Sequence, residues 1–220
     1  HHFYIHRRYA MKRILCFGDS NTWGFAPKDG YRFDENTRWT GLVQKALPQY
    51  KIIEEGLNGR TALWDDPIEG YKNGKEYLIP CLSSQSPLDL VILMLGTNDC
   101  KTRFALTASD VAAGVRELAN LILASGCGPE GRAPRLLVMC PAPLNYTREP
   151  DYCASFDDNS NRISRELPAK FARFTREIGC DYLDLGPIAS VSEKDGIHLD
   201  PDQHQKVAEA VVAKIREILG

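Results

Sequence analysis

The sequence predicts a single-domain, doubly wound α/β sandwich of the flavodoxin-like kind, with about five parallel strands and helices on both faces. Three observations carry this expectation. Five short apolar runs recur along the chain, most are nearly continuous rather than alternating, and helix-like stretches lie between them. A strand that is apolar at successive positions must be covered on both faces, which calls for a parallel sheet between two helical layers. The 220 residues suit one sizeable domain, and no composition break, repeat or low-complexity linker divides them.

The strand runs, in order, are "RILCFG", "YKIIEEG", "LDLVILMLG", "RLLVMC" and "CDYLDLG". After the first, "TRWTGLVQKAL" places apolar residues at helical spacing. "TASDVAAGVRELANLILASG" is amphipathic, with a Thr/Ser/Asp-rich start and a closing glycine, as helix boundaries prefer. "NRISRELPAKFARFTREIG" and the final "PDQHQKVAEAVVAKIREIL" share the same pattern, and Pro168 is expected to kink or interrupt the former. The segments Asp65 to Lys75 and Ala142 to Asp158 read as long loops punctuated by Pro and Gly, of the kind that shape a pocket.

Composition narrows the function classes. The formal charge of −2 is spread along the chain without a basic stripe, so no nucleic-acid partner is expected. No run approaches the roughly 20 apolar residues of a membrane span, so no membrane partner is expected either. The seven cysteines are odd in number and dispersed without a C-x-x-C, which argues against a disulfide framework and against a metal site. The expectation is a reduced, cytoplasmic protein. Residues 1–10, "HHFYIHRRYA", read as a tag or leader, and residues 11–220 as the domain.

In open parallel sheets, ligands bind beyond the carboxyl ends of the strands. The strand runs end, in turn, in "GDSN", "GLNGRT", "GTNDCK", "PAPLNY" and "LGPIASVSEKDGIHLD". These ends bring Ser20, Asn58/Gly59, Asn98/Asp99 and Asp195/His198 towards one edge. Ser20 is a candidate nucleophile if a base serves it. Beyond the leader only two histidines exist. His204, in the opening of the last helix, reads as an exposed surface residue. His198 comes three residues after Asp195 with Gly196 between, a spacing that lets the carboxylate hold one ring nitrogen while the other faces outward. Asp19 and Asp99 are the competing acids, and their expected work is hydrogen bonding to loop backbone.

The oxyanion candidates are the Ser20 and Gly59 backbone N–H groups and the Asn98 amide. Taken singly, Gly59 reads as a turn glycine and Asn98 as a cap. Asn21, Trp23, Thr97, Lys101 and Ile197 adjoin these blocks and are substrate-pocket candidates. For Trp23 and Ile197 the competing reading is packing, for Lys101 a solvated surface charge, and for Arg60 a structural ion pair. Neither G-x-S-x-G nor G-x-x-x-x-G-K-[ST] occurs.

The blocks "FGDSNTWG", "EEGLNGRT", "LGTND" and "DGIH", in this order, resemble the GDSL or SGNH hydrolase family across nearly all the chain after Met11. "RWTGLVQKAL" and "PLDLVILMLGTNDCK" make it similar to the bacterial arylesterase and acyltransferase branch. The resemblance implies Ser20, Asp195 and His198 as catalytic residues and Ser20, Gly59 and Asn98 as the oxyanion hole. It implies a short-chain ester as small-molecule partner, no metal or organic cofactor, acyl transfer to alcohols or peroxide, and a homo-oligomer. Asn21 departs from the pattern, which has an apolar residue after the serine, and this bears on the substrate. A carbohydrate O-deacetylase or a thioesterase/lysophospholipase is the alternative enzyme; a non-catalytic ligand-binding module is the alternative outside enzymes.

Overall fold

A computed structural model describes residues 11–147 and 155–220. The leader, Cys153 and the middle of the long loop before Asp158 lie outside the described residues. The strands are β1 (Lys12–Gly18), β2 (Tyr50–Gly56), β3 (Leu90–Met94), β4 (Arg135–Cys140) and β5 (Asp181–Asp184). They form one parallel sheet in the order β2-β1-β3-β4-β5, in register Cys16–Glu54, Cys16–Ile92, Ile92–Leu137 and Met139–Leu183 along its length. The five-stranded, doubly wound expectation holds.

The near-continuous apolar runs sort by the period-two alternation of a strand. Leu15, Phe17, Val91, Leu93, Leu136 and Val138 enter a core on one face. Ile14, Cys16, Leu90, Ile92, Leu137 and Met139 enter a core on the other. The first core is closed by α3 (Gly74–Gln85), α4 (Ala108–Ala124) and α5 (Asp158–Ile178), the second by α2 (Trp39–Ala46) and α6 (Pro201–Leu219). Thr107 and Asp110 form a capping box at the start of α4, where its polar start predicts, and Asp157 with Ser160 does so for α5, which begins three residues before the expected stretch at Asn161.

The helix α3 has no counterpart among the expected elements. Its stripe is narrow, with Leu78, Cys81 and Leu82 inward, while Tyr77 and Ile79 are exposed and Pro80 sits mid-helix. The apolar residues therefore show no clear helical period, and the loop expected to reach Lys75 ends at Asn73, the N-cap of α3. Pro168 does not interrupt α5, which runs unbroken past it and into the Gly179 cap, and the Pro168 carbonyl accepts the Tyr182 hydroxyl. The six described cysteines are all free thiols. Among the described residues no helix is long and apolar enough to cross a membrane.

Candidate active site

Strand order reverses between β1 and β3, and the loops leaving these two strands build the centre of the site. After β1 the chain turns at once into a single-turn helix, α1 (Ser20–Trp23), capped by Asp19, whose Oδ1 accepts the Asn21 N–H at 3.0 Å. Ser20 stands at the first helical position, so its own N–H has no intrahelical partner, and no described residue accepts it.

His198 reaches Ser20 from the loop after β5. Its Nε2 lies 3.0 Å from Ser20 Oγ and its Nδ1 lies 2.7 Å from Asp195 Oδ2. Asp195 Oδ1 accepts the N–H groups of Ile197 and His198, both at 2.9 Å, and Oδ2 also accepts the Lys28 N–H at 2.9 Å. Burial alone would raise the Asp195 pKa, but the bond to His198, the imidazole's charge and these N–H donors hold it well below the usual carboxylate range. The tight turn rests on Gly196, at φ +70°, where a Cβ would stand 2.3 Å from the Asn145 carbonyl oxygen. Phe25 stacks on the imidazole with ring centres 4.2 Å apart.

Gly59 and Asn98 come from the neighbouring loops. Gly59 has φ +80° in the turn after β2, and no described residue accepts its N–H. Asn98 donates one Nδ2 hydrogen to the Arg60 carbonyl at 3.1 Å, which leaves its second hydrogen unused. The site thus holds three donors without partners among the described residues.

The competing acids do other work. Asp19 caps α1; burial pushes it up to about 6, while the Asn21 N–H and the charges of His198, Arg60 and Lys101 pull it down. Asp99 Oδ2 accepts the Ala62 N–H at 3.1 Å, and burial pushes its carboxyl up to about 7. The carboxylate bonded to His198 is Asp195.

The pocket candidates divide. Thr97 and Ile197 are buried beside the site, and Trp23 is half-buried under the Arg32 guanidinium. Asn21 is buried and donates from Nδ2 to the Ile197 carbonyl at 3.3 Å, so it tethers the histidine turn. Lys101 is not a solvated charge: it is buried, 2.8 Å from Glu69 Oε2. The Arg60 guanidinium donates to the Gly18 and Glu55 carbonyls at 3.0 and 2.6 Å and lies over the Phe17 ring, so its bonds are to backbone and not to a carboxylate.

His204 overturns its expectation of exposure. It is fully buried, and its Nδ1 accepts the N–H of Trp39, the first residue of α2. Burial lowers its pKa to about 4, with the charge of His198 adding to the effect, so it stays neutral and structural. Sequence reasoning also missed Phe25, the Lys28 N–H and Glu69. The first two contacts come from the excursion between α1 and α2, which carries no periodic signal. Among the described residues no group of three or more His, Cys, Asp or Glu is arranged to hold a metal ion.

Residues 16–206 match the GDSL-like lipase/acylhydrolase family. The chain belongs to that family. No curated protein matches it. Its fold is similar to the aryl esterase of M. smegmatis, at 38% identity and TM-score 0.89 over 94% of this chain and all of that one. It is equally similar to Est24, a carbohydrate acetylesterase from Sinorhizobium meliloti, at 36% identity, TM-score 0.89 and the same coverage. A putative arylesterase from Agrobacterium tumefaciens matches at 34% and 0.86, over 95% of this chain and 100% of that one. With these neighbours, the chain is an esterase of the GDSL type.

Proposed function

We propose that this GDSL-type esterase hydrolyses short-chain carboxylic esters, acetyl and aryl esters among them, through an acyl-enzyme on Ser20. The observation that carries the reading is the continuous chain Ser20 Oγ to His198 Nε2 at 3.0 Å and His198 Nδ1 to Asp195 Oδ2 at 2.7 Å. Ser20 Oγ attacks the ester carbonyl carbon while its proton passes to His198 Nε2. Asp195 holds the proton-bearing Nδ1 and stabilises the imidazolium. The carbonyl oxygen, now carrying the negative charge, takes hydrogen bonds from the Ser20 and Gly59 N–H groups and the free Asn98 hydrogen; one such donor contributes about 3–4 kcal/mol. The C–O bond to the alcohol then breaks, and His198 returns its proton to the leaving oxygen. Water attacks the acyl-enzyme with His198 again as base, releasing the acid and regenerating the serine hydroxyl. An alcohol or peroxide in place of water gives acyl transfer. The buried free thiols suit a reducing, cytoplasmic setting.

The test measures p-nitrophenol release from acetate, butyrate and octanoate esters by the native protein and Ser20→Ala. A short-chain preference abolished in Ser20→Ala is expected, with a loss of at least about a thousandfold. Retained octanoate preference would favour a thioesterase or lysophospholipase, and equal inactivity of both proteins would sink the esterase reading.

A further inference from the structure

The imidazole of His198 is held at both edges and on one face. Its edges meet Ser20 Oγ at 3.0 Å and Asp195 Oδ2 at 2.7 Å. Its face meets the Phe25 ring, with centres 4.2 Å apart and planes inclined by 27°. Rings so placed are in direct contact. The His198 side chain is only 12% exposed, so the charge it gains on taking the serine proton develops largely out of water.

Phe25 belongs to the stretch that carries the nucleophile and not to the histidine loop. Its N–H donates to the Ser20 carbonyl at 3.0 Å, and it pairs with Arg32 in a single antiparallel bridge. Between these two residues the chain turns through Lys28, whose N–H reaches Asp195 Oδ2, and through Gly30 at φ +77°. Gly30 lies close to the far end of the ring, where a Cβ would stand 3.1 Å from Phe25 Cζ. One short turn thus takes hold of the carboxylate by a backbone N–H and covers the imidazole with a ring. The Arg32 guanidinium lies over Trp23 instead, and among the described residues no lysine or arginine lies over the Phe25 ring. The face turned to His198 therefore has the imidazole as its partner.

We propose that Phe25 is a positioning residue for the general base: its ring fixes the plane of the His198 imidazole and offers an electron-rich face to the positive charge that appears there in each proton transfer. The proposal rests on the esterase reading of Ser20, His198 and Asp195. The face of an aromatic ring carries partial negative charge, and a cation held against it is stabilised, more strongly when both are desolvated. The neutral imidazole of the resting protein draws less from the same contact. The gain therefore falls on the charged transition state, which raises kcat without tightening substrate binding. Asp195 acts on the Nδ1 edge and Phe25 on the face, so the two effects are separable.

The experiment measures kcat and KM for p-nitrophenyl acetate, with thermal melts. It compares the native protein, Phe25→Leu and a protein carrying pentafluorophenylalanine in place of Phe25. Fluorination keeps the ring's stacking shape and reverses the charge on its face. His198 takes a proton in both acylation and deacylation, so kcat reports the effect whichever step is slower. In the fluorinated protein kcat is expected to fall about two- to thirtyfold, with KM within about twofold of native. Phe25→Leu should fall at least as far, because leucine also lets the imidazole turn; the fluorinated protein carries the test if the leucine variant does not fold. Native kcat in the fluorinated protein would overturn the proposal whatever leucine does, since the ring would then only fill space. A rise in KM at native kcat would overturn it too, and would make Phe25 a wall of the substrate pocket. Both results leave the esterase reading intact. A native protein inert on this ester and on its butyrate and octanoate homologues removes that reading, and the proposal with it.

Discussion

Asp195→Asn isolates what the carboxylate does for His198, because the substitution keeps size and changes only which atoms can accept. Four donors converge on two oxygens: Ile197 and His198 N–H on Oδ1, Lys28 N–H and the imidazole on Oδ2. In the variant the amide oxygen can keep the two turn N–H groups, which places Nδ2 against the Lys28 N–H and His198 Nδ1. The imidazole can respond by moving its proton to Nε2, so that Nδ1 accepts from the amide. Nε2 then donates to Ser20 Oγ and cannot take its proton. In serine-protease triads that inversion costs about 10⁴ in kcat, or roughly 5 kcal/mol at 1.36 kcal/mol per decade. The Lys28 N–H has no such recourse, and an orphaned, part-buried donor costs about 1 kcal/mol of stability, some 2–4 °C in Tm for a chain of this size. Steady-state kinetics on p-nitrophenyl acetate, with thermal melts of both proteins, should therefore show kcat down at least about a thousandfold, KM little changed and Tm only a few degrees lower. A folded variant within tenfold of native kcat would refute the tautomer argument.

Two further expectations concern parts of the frame. His204 is neutral in the folded protein, with a pKa lowered to about 4, against about 6.5 when unfolded. The unfolded chain thus binds the extra proton first as pH falls, so the stability is full above about pH 6.5 and is lost towards pH 4, by about 3 kcal/mol. Melts of the native protein from pH 7 to 4 should fall more steeply than those of His204→Gln, whose amide oxygen can still accept the Trp39 N–H; parallel curves would count against the assignment. Gly59→Ala forces an L side chain to φ +80° with its Cβ 3.2 Å from Lys72 Cε, a strain of about 1–2 kcal/mol. Both Tm and kcat should drop, kcat by up to about a hundredfold if the N–H swings off the oxyanion; native values for both would show that the turn and its N–H tolerate the methyl group.

Much of the fold and of the Ser20–His198–Asp195 arrangement is legible in the sequence, because both burial and strand-end position constrain residue type. A strand buried on both faces has to be apolar throughout, and Ser20, Asp195 and His198 stand at strand-end loops where the fold places ligands. The failures have equally physical causes. In α3 a short helix covers the core with Leu78, Cys81 and Leu82 only, too few to impose a period over Tyr77, Ile79 and Pro80. His204 misleads by its polarity, although it lies three and four residues before Val207 and Ala208 and so shares their buried face. The Glu69–Lys101 ion pair leaves no trace, because its partners stand 32 residues apart on two loops.

The topology explains why Asn21 stands where related sequences are expected to carry an apolar side chain. Ser20 follows β1, the second strand of the sheet, while Asp195 and His198 follow β5 at the far edge, three strand spacings or roughly 14 Å away. The loop after β5 must cross that distance and stop with an imidazole within hydrogen-bond reach of a hydroxyl. Bonds from other parts of the chain stop it there. The Asn21 amide donates to the Ile197 carbonyl, the Lys28 N–H donates to Asp195, and the Asn145 N–H donates to the Gly196 carbonyl. Two of these three grips come from the loop that also carries the nucleophile, so the base is referenced to the serine by the shortest available path. An apolar residue at position 21 could pack against Ile197 but could not hold its carbonyl, and would leave the turn to the other two bonds. Asn21 thus holds the residue next to His198 from the loop that carries Ser20.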